Sequence, residues 1–169
     1  MEIRTLNGDD ITAYHPLRLQ ALREHPEAFS SDYEDELRRD AAEAAQRLQP
    51  SPDRFMLGAW VDGALVGVLG LNRSPGRKVR HRAGLGAMYV APAFRRQGVG
   101  QALIAAVIQH ARALPDLEEL VLAVTVGNDP ARRFYLAAGF VPSYVEPRYI
   151  KHDGRYFDIE WMSLRLVTR

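Results

Sequence analysis

At 169 residues, with 47% hydrophobic and 25% charged residues, the chain has single-domain size and ordinary globular composition, which excludes disorder and fibrous repeats. No apolar run approaches the roughly 18 to 20 residues of a membrane span, and Met1-Glu2-Ile3-Arg4-Thr5 lacks a signal-peptide core, so a cytoplasmic location without a membrane partner is expected. The absence of cysteine excludes disulfides, thiolate metal sites and a covalent cysteine intermediate, while the net charge of +1 hides a split of seven Arg against twelve acids in residues 1–60 and fifteen basic against nine acidic residues beyond.

In chain order, Glu2 to Leu6 reads as a strand, and Asp9 or Asp10 as the cap of a helix in which Leu17, Leu19, Ala21 and Leu22 recur at helical spacing, with His25-Pro26 as its stop. Ser30 or Ser31 offers a cap to a second helix, running through Glu34 to about Leu48 before Pro50-Ser51-Pro52. Two helices thus precede most of the sheet. Phe55 to Val61 and Ala64 to Leu71 are strand-like and joined at Asp62-Gly63, a hairpin signal. A basic connection from Arg73 to Arg82 leads to a strand from about Ala83 to Val90.

Arg95-Arg96-Gln97-Gly98-Val99-Gly100 follows and opens a helical pattern from Gln101 to Leu114. Two glycines at a helix entry behind a strand let backbone N–H groups approach an anion, and the helix N-terminus adds partial positive charge. Leu117 to Val126 is a buried-type strand, as at the centre of a sheet. Asn128-Asp129-Pro130 starts another helix, which Gly139 ends. Strands from Phe140 to Lys151 and Arg155 to Val167, joined through His152-Asp153-Gly154, form a terminal hairpin. The order β-α-α-β-β-β-α-β-α-β-β is that of one mixed α/β domain over residues 1–169.

Three features in this order resemble the GNAT family of N-acetyltransferases: Met88-Tyr89-Val90-Ala91-Pro92, the Arg95-x-x-Gly98-x-Gly100 turn, and Asn128-x-x-Ala131-x-x-x-Tyr135-x-x-x-Gly139-Phe140. Asp158-x-x-x-Met162-x-Leu164 resembles the family's last strand. The resemblance implies a central mixed, mostly antiparallel sheet flanked by helices, and acetyl-CoA as donor. Its pyrophosphate would lie on the backbone of Arg95, Arg96, Gln97, Gly98, Val99 and Gly100, with Gln101 following. Met88 and Val90 would give main-chain contacts to the pantetheine arm, where the strand ending at Val90 splays from the one ending near Val126. Asn128 and Ala131 would stand on the cofactor side of the next helix. There Tyr135, on the same helix face as Asn128, would protonate the departing thiolate, and backbone N–H near Val90 would stabilise the oxyanion. Without cysteine, the acetyl group would pass directly to the amine in a ternary complex.

Many relatives carry a carboxylate on the strand before Val90, but here the residues facing the same way are Gly84 and Gly86, so the general base falls to His81, Glu146, Asp32, Glu34, Asp35 or Glu36. The histidines lack the paired spacing of a metal site, and the chemistry requires no metal. The segment that covers the acceptor pocket in the family holds, over residues 27–43, seven acids against two arginines. It points to a cationic amine, a small molecule or a protein amino group. No dense basic patch with interleaved aromatics points to nucleic acid. A non-catalytic acyl-CoA-binding sensor and a transferase of another acyl group are the competing readings, and the oligomeric state stays open, a homodimer included.

Overall fold

Two-residue turns set the strand pairing. Asp62 (φ 49°) and Gly63 (φ 79°) are both left-handed, the geometry that matches strand twist in a tight hairpin, and they join β2 (Arg54–Val61) to β3 (Ala64–Arg73). Asp153 (φ 47°) and Gly154 (φ 74°) do the same for β6 (Val141–His152) and β7 (Arg155–Arg165). With β1 (Glu2–Thr5), β4 (Arg82–Val90) and β5 (Glu119–Thr125) they form one seven-stranded sheet in the order β1-β2-β3-β4-β5-β7-β6. Among the described residues, only β4 and β5 run parallel. The structure, a computed structural model, describes residues 1–166; the expected strand end at Val167 lies outside them.

Three α-helices, not two, lie between β1 and β2: α1 (Ile11–Glu24), α2 (Tyr33–Leu37) and α3 (Ala41–Leu48). Aspartates divide the expected second helix. Asp32, rather than Ser30 or Ser31, accepts from the N–H groups of Glu34 and Asp35, and Asp40 accepts from those of Ala42 and Glu43, so a new helix starts where a continuous one was expected. Ahead of α1, the Asn7 side chain accepts from Asp9 N–H, while the Asp10 carboxylate takes Asn7 N–H and Arg4 instead of capping α1. α4 (Val99–Ala113) and α5 (Asp129–Ala137) follow as expected, with Gly139 at φ 93° closing the latter.

The sheet separates two apolar clusters. Leu57, Leu71, Leu103, Val107, Leu120 and Met162 meet where α4 and α5 pack, and Leu6, Leu17, Ala21, Leu48 and Val68 meet beneath α1 and α3. Two irregularities in β4 shape everything that follows. Val68 faces Tyr89 and Gly70 faces Gly86, so Ala87 and Met88 together oppose Leu69: a β-bulge, with Ala87 at φ 56°. The extra residue inverts the alternation, so Met88 and Val90 join Ala83 and Leu85 in the α4 cluster while Tyr89 joins the other. Gly84 and Gly86 therefore do not face the same way as Val90, contrary to the simple alternation of the sequence. Secondly, β4 pairs β5 only from Arg82 to Gly84, against Glu119 to Val121. Beyond Gly84 the two strands part.

Candidate functional site

At the mouth of this gap lies the α4 entry. Gly98, at φ 84°, turns the chain into α4, and the N–H groups from Arg96 to Gln101 find no backbone acceptor among the described residues. Successive unpaired N–H groups at a helix N-terminus form a cradle for an anion with several oxygens. A Cβ on Gly100 would stand 3.3 Å from Met88 Cε and 3.4 Å from Phe134 Cε2, so glycine lets α4, β4 and α5 converge here. Val99 is buried in the core, whereas Arg96, Gln97, Gly98 and Gln101 are exposed.

The Arg95 side chain does not extend over the cradle. Its Nε donates to the Val90 carbonyl at 2.9 Å and one Nη lies 3.3 Å from Glu24 at the end of α1. Tyr89 Oη donates to the same carboxylate at 2.7 Å. Burial and then the Glu24 hydrogen bond push the Tyr89 phenol well above its ordinary range, while hydrogen bonds from Tyr89 and Gln20 hold the Glu24 carboxyl below its own. This cluster ties the loop after β4 to α1.

On α5, Asn128 accepts from Ala131 N–H at 3.3 Å, capping the helix, and Ala131 is half-buried against the core. Tyr135 is buried, edge-on to Phe134 and Phe140 at centroid distances of 5.1 and 5.9 Å. Its hydroxyl has no hydrogen-bond partner among the described residues, and burial alone pushes the phenol well up. It therefore stays protonated through the neutral range.

The opposite sheet face carries a two-lobed cavity, the lobes about 370 and 340 Å³. Arg18, Ser31, Asn72, Gly84, Gly86 and Ala87 line both. The bulge and the two glycines thus floor the cavity, and the second lobe reaches Val121, Ala123 and Thr125 of the parted β5. Of the candidate bases, Glu36 borders the first lobe, 3.5 Å from Arg39. Glu146 accepts from Trp161 Nε1 at 2.9 Å, and the Trp161 ring lines the second lobe. The others are not brought to the floor: Asp32 caps α2, Glu34 lies 3.4 Å from Arg38, Asp35 is exposed, and His81 sits at the far end of β4 from Val90. Among the described residues no cluster of His, Asp and Glu is placed to hold a metal ion, and no helix is long and apolar enough to cross a membrane.

Three residues bearing on the site escaped the sequence reading. Ala87 carries no glycine to mark its left-handed bulge. Glu24 meets Tyr89 only through the tertiary fold. Arg18 did leave a signal, since it interrupts the apolar stripe of Leu17, Ala21 and Leu22 with a charge.

The GNAT acetyltransferase family model matches residues 18–140. An L-amino acid N-acetyltransferase of Escherichia coli (strain K12) is 28% identical over 118 residues, covering 70% of this chain and 72% of the relative. A GNAT-family acetyltransferase from Streptococcus pneumoniae superposes with a TM-score of 0.84 at 22% identity, covering 97% of this chain and 98% of that one. The yncA protein of Salmonella typhimurium, solved with its cofactor acetyl-CoA, superposes at 0.80 with 22% identity, covering 100% of this chain and 95% of that one. The matched span takes in the α4 cradle, the parted β4 and β5 and the Tyr135 helix, and with it the chain belongs to the GNAT acetyltransferase family.

Proposed function

We propose that the protein transfers the acetyl group of acetyl-CoA directly to an amine. The observation that carries this reading is the run of unpaired N–H groups at α4 beside strands that part at their C-terminal ends, where family membership expects the donor. The cradle from Arg96 to Gln101 suits the diphosphate, and the open edge of β4 at Met88 and Val90 suits an amide-bearing arm. Arg95 releases the Val90 carbonyl and turns toward the phosphates when the arm enters. The amine nitrogen, having lost one proton to solvent or a cavity base, attacks the thioester carbonyl to give a tetrahedral oxyanion. As this collapses the C–S bond breaks, and the second proton shed by the nitrogen restores the Tyr135 phenol by way of solvent. Tyr135, the catalytic residue, gives its proton to the thiolate. Asn128 and Ala131 position α5 beside the donor.

The acidic bias of residues 27–43 led to a cationic acceptor, but those acids are largely occupied within the fold. Asp32 and Asp40 cap helices, and Glu34, Glu36 and Glu43 pair with Arg38 and Arg39. Arg18, Arg39, Arg47 and Arg54 line the first lobe against Glu36 alone among the described residues. The relative named as an L-amino acid N-acetyltransferase offers a free amino acid as the alternative. A cytoplasmic, ligand-dependent enzyme is part of the same proposal.

Release of CoA thiol, followed over a panel of amines, tests it. Initial-rate plots with both substrates varied should intersect, because no cysteine is available for an acyl-enzyme. Tight CoA binding without turnover on any amine, unaltered by Tyr135→Phe, would establish the sensor reading instead.

A further inference from the structure

We propose that the acceptor is an amine that also carries a carboxylate, and that Arg18 is the residue that holds that carboxylate. The proposal rests on the transferase reading for its amine and on the cavity alone for its carboxylate.

Arg18 stands one helical turn after Tyr14 on the face of α1 that borders the cavity, is 8% exposed, and lines both lobes. It makes no hydrogen bond or ion pair among the described residues; Nη1 is sealed without a partner, and the guanidinium carbon lies 5.1 Å from the Phe29 ring centroid. Elsewhere this chain gives its shielded guanidinium groups a counter-charge, even Arg39, whose Nε is also buried without a hydrogen-bond partner. Arg73, 4% exposed, donates to the Arg80 and Pro115 carbonyls and lies 3.6 Å from Asp53. Arg39 is held by Glu36 and Glu43. A buried cation left without a counter-charge is costly unless a ligand provides one, and the planar fork of arginine matches the two oxygens of a carboxylate.

The same ligand must bring its amine to the parted strands. Gly84, Gly86 and Ala87, at the edge of that opening, line both lobes together with Arg18, so one compact ligand such as an α-amino acid can offer its carboxylate to Arg18 and its amine to the opening. In the second lobe Arg18 is the only charged side chain among the described residues, and Phe29, Ile159 and Trp161 present apolar surface. That lobe suits an apolar side chain and is ill-suited to a polyamine.

The test compares L-phenylalanine, L-leucine and L-methionine with their amides, their decarboxylated amines and their phosphonate analogues, together with spermidine, by thiol release in the wild type, Arg18→Lys and Arg18→Met. The acids should exceed the amides in kcat/KM by about 10- to 100-fold, the range of a hydrogen bond to a charged group. Arg18→Met should abolish the preference and Arg18→Lys retain part of it. A second readout needs no turnover: with CoA present, the acids but not the amides should raise the melting temperature, and the rise should vanish in Arg18→Met. That rise without any turnover would sink the transferase reading and uphold the carboxylate site. Turnover of amides, phosphonates or spermidine as fast as the acids, unchanged by Arg18→Met, would overturn the carboxylate site while the transferase reading stands. Should Arg18→Met fail to fold, Arg18→Lys and the wild-type comparison of acid with amide decide the matter.

Discussion

Gly98 has nothing within 4 Å of where a Cβ would stand, yet its φ is 84°, so a side chain there meets backbone strain and no clash. Gly98→Ala should cost about 1–2 kcal/mol, read from the urea midpoint, and should weaken CoA binding by tilting the N–H cradle. Tyr135→Phe should leave CoA affinity intact and lower the rate of single-turnover thiol release by roughly 100- to 10,000-fold, the range for a lost general acid. Asp10 gives a pH prediction. The Arg4 hydrogen bond, aided by Asn7 N–H, holds its carboxyl below the ordinary aspartate range. Its contribution to stability is therefore present above the unfolded-state pKa of about 4 and is lost as the pH falls through the lower folded-state value. Asp10→Asn should accordingly be less stable than wild type in urea melts at neutral pH, with the gap closing in acid. At this scale the Gly98 turn was legible because a left-handed backbone is favoured by residue type. Arg18 was not, since lack of a partner is a property of the fold.

Elements were legible where turn residues mark them. Asp62-Gly63 and Asp153-Gly154 announced their hairpins by a backbone preference that needs no tertiary context. Between residues 30 and 48 the acidic, helix-compatible composition hid a break, because an aspartate within such a run reads equally well as an interior residue or as a cap. Asp40 is the cap. Removing it in Asp40→Ala should cost about 1 kcal/mol in the urea midpoint. It should also raise the acceptor KM more than that of acetyl-CoA, since α3 brings Ala44, Arg47 and Leu48 to the cavity wall. The bulge at Ala87 was invisible for a different reason: alternation is inferred by counting, and one inserted residue shifts every later position to the opposite face.

For the whole molecule, the core holds the two half-sheets together. Leu103 of α4 is fully buried at the centre of the larger cluster, and Leu103→Ala should cost about 2–5 kcal/mol, measurable as a lowered melting temperature. That is a large share of a typical stability of about 5–15 kcal/mol. Charge asymmetry between the halves of the chain was legible too, but its destination was not. Caps and ion pairs absorb much of the acidic excess locally, and the wall of the first lobe collects arginines from α1, the turn between α2 and α3, α3 and the start of β2.

The parting of β4 from β5 also bears on how the protein unfolds. A sheet whose neighbours meet over so short a seam resembles two leaves clipped at one end, and those amides of Leu85 to Val90 and Leu122 to Thr125 that point into the gap, not toward β3 or β7, lack the shelter of strand pairing. A donor lying along that opening would act as the strand the gene does not encode. At a hundred times its dissociation constant it would add about 2.7 kcal/mol to the unfolding free energy. Hydrogen exchange should slow at those backbone positions first when the donor binds.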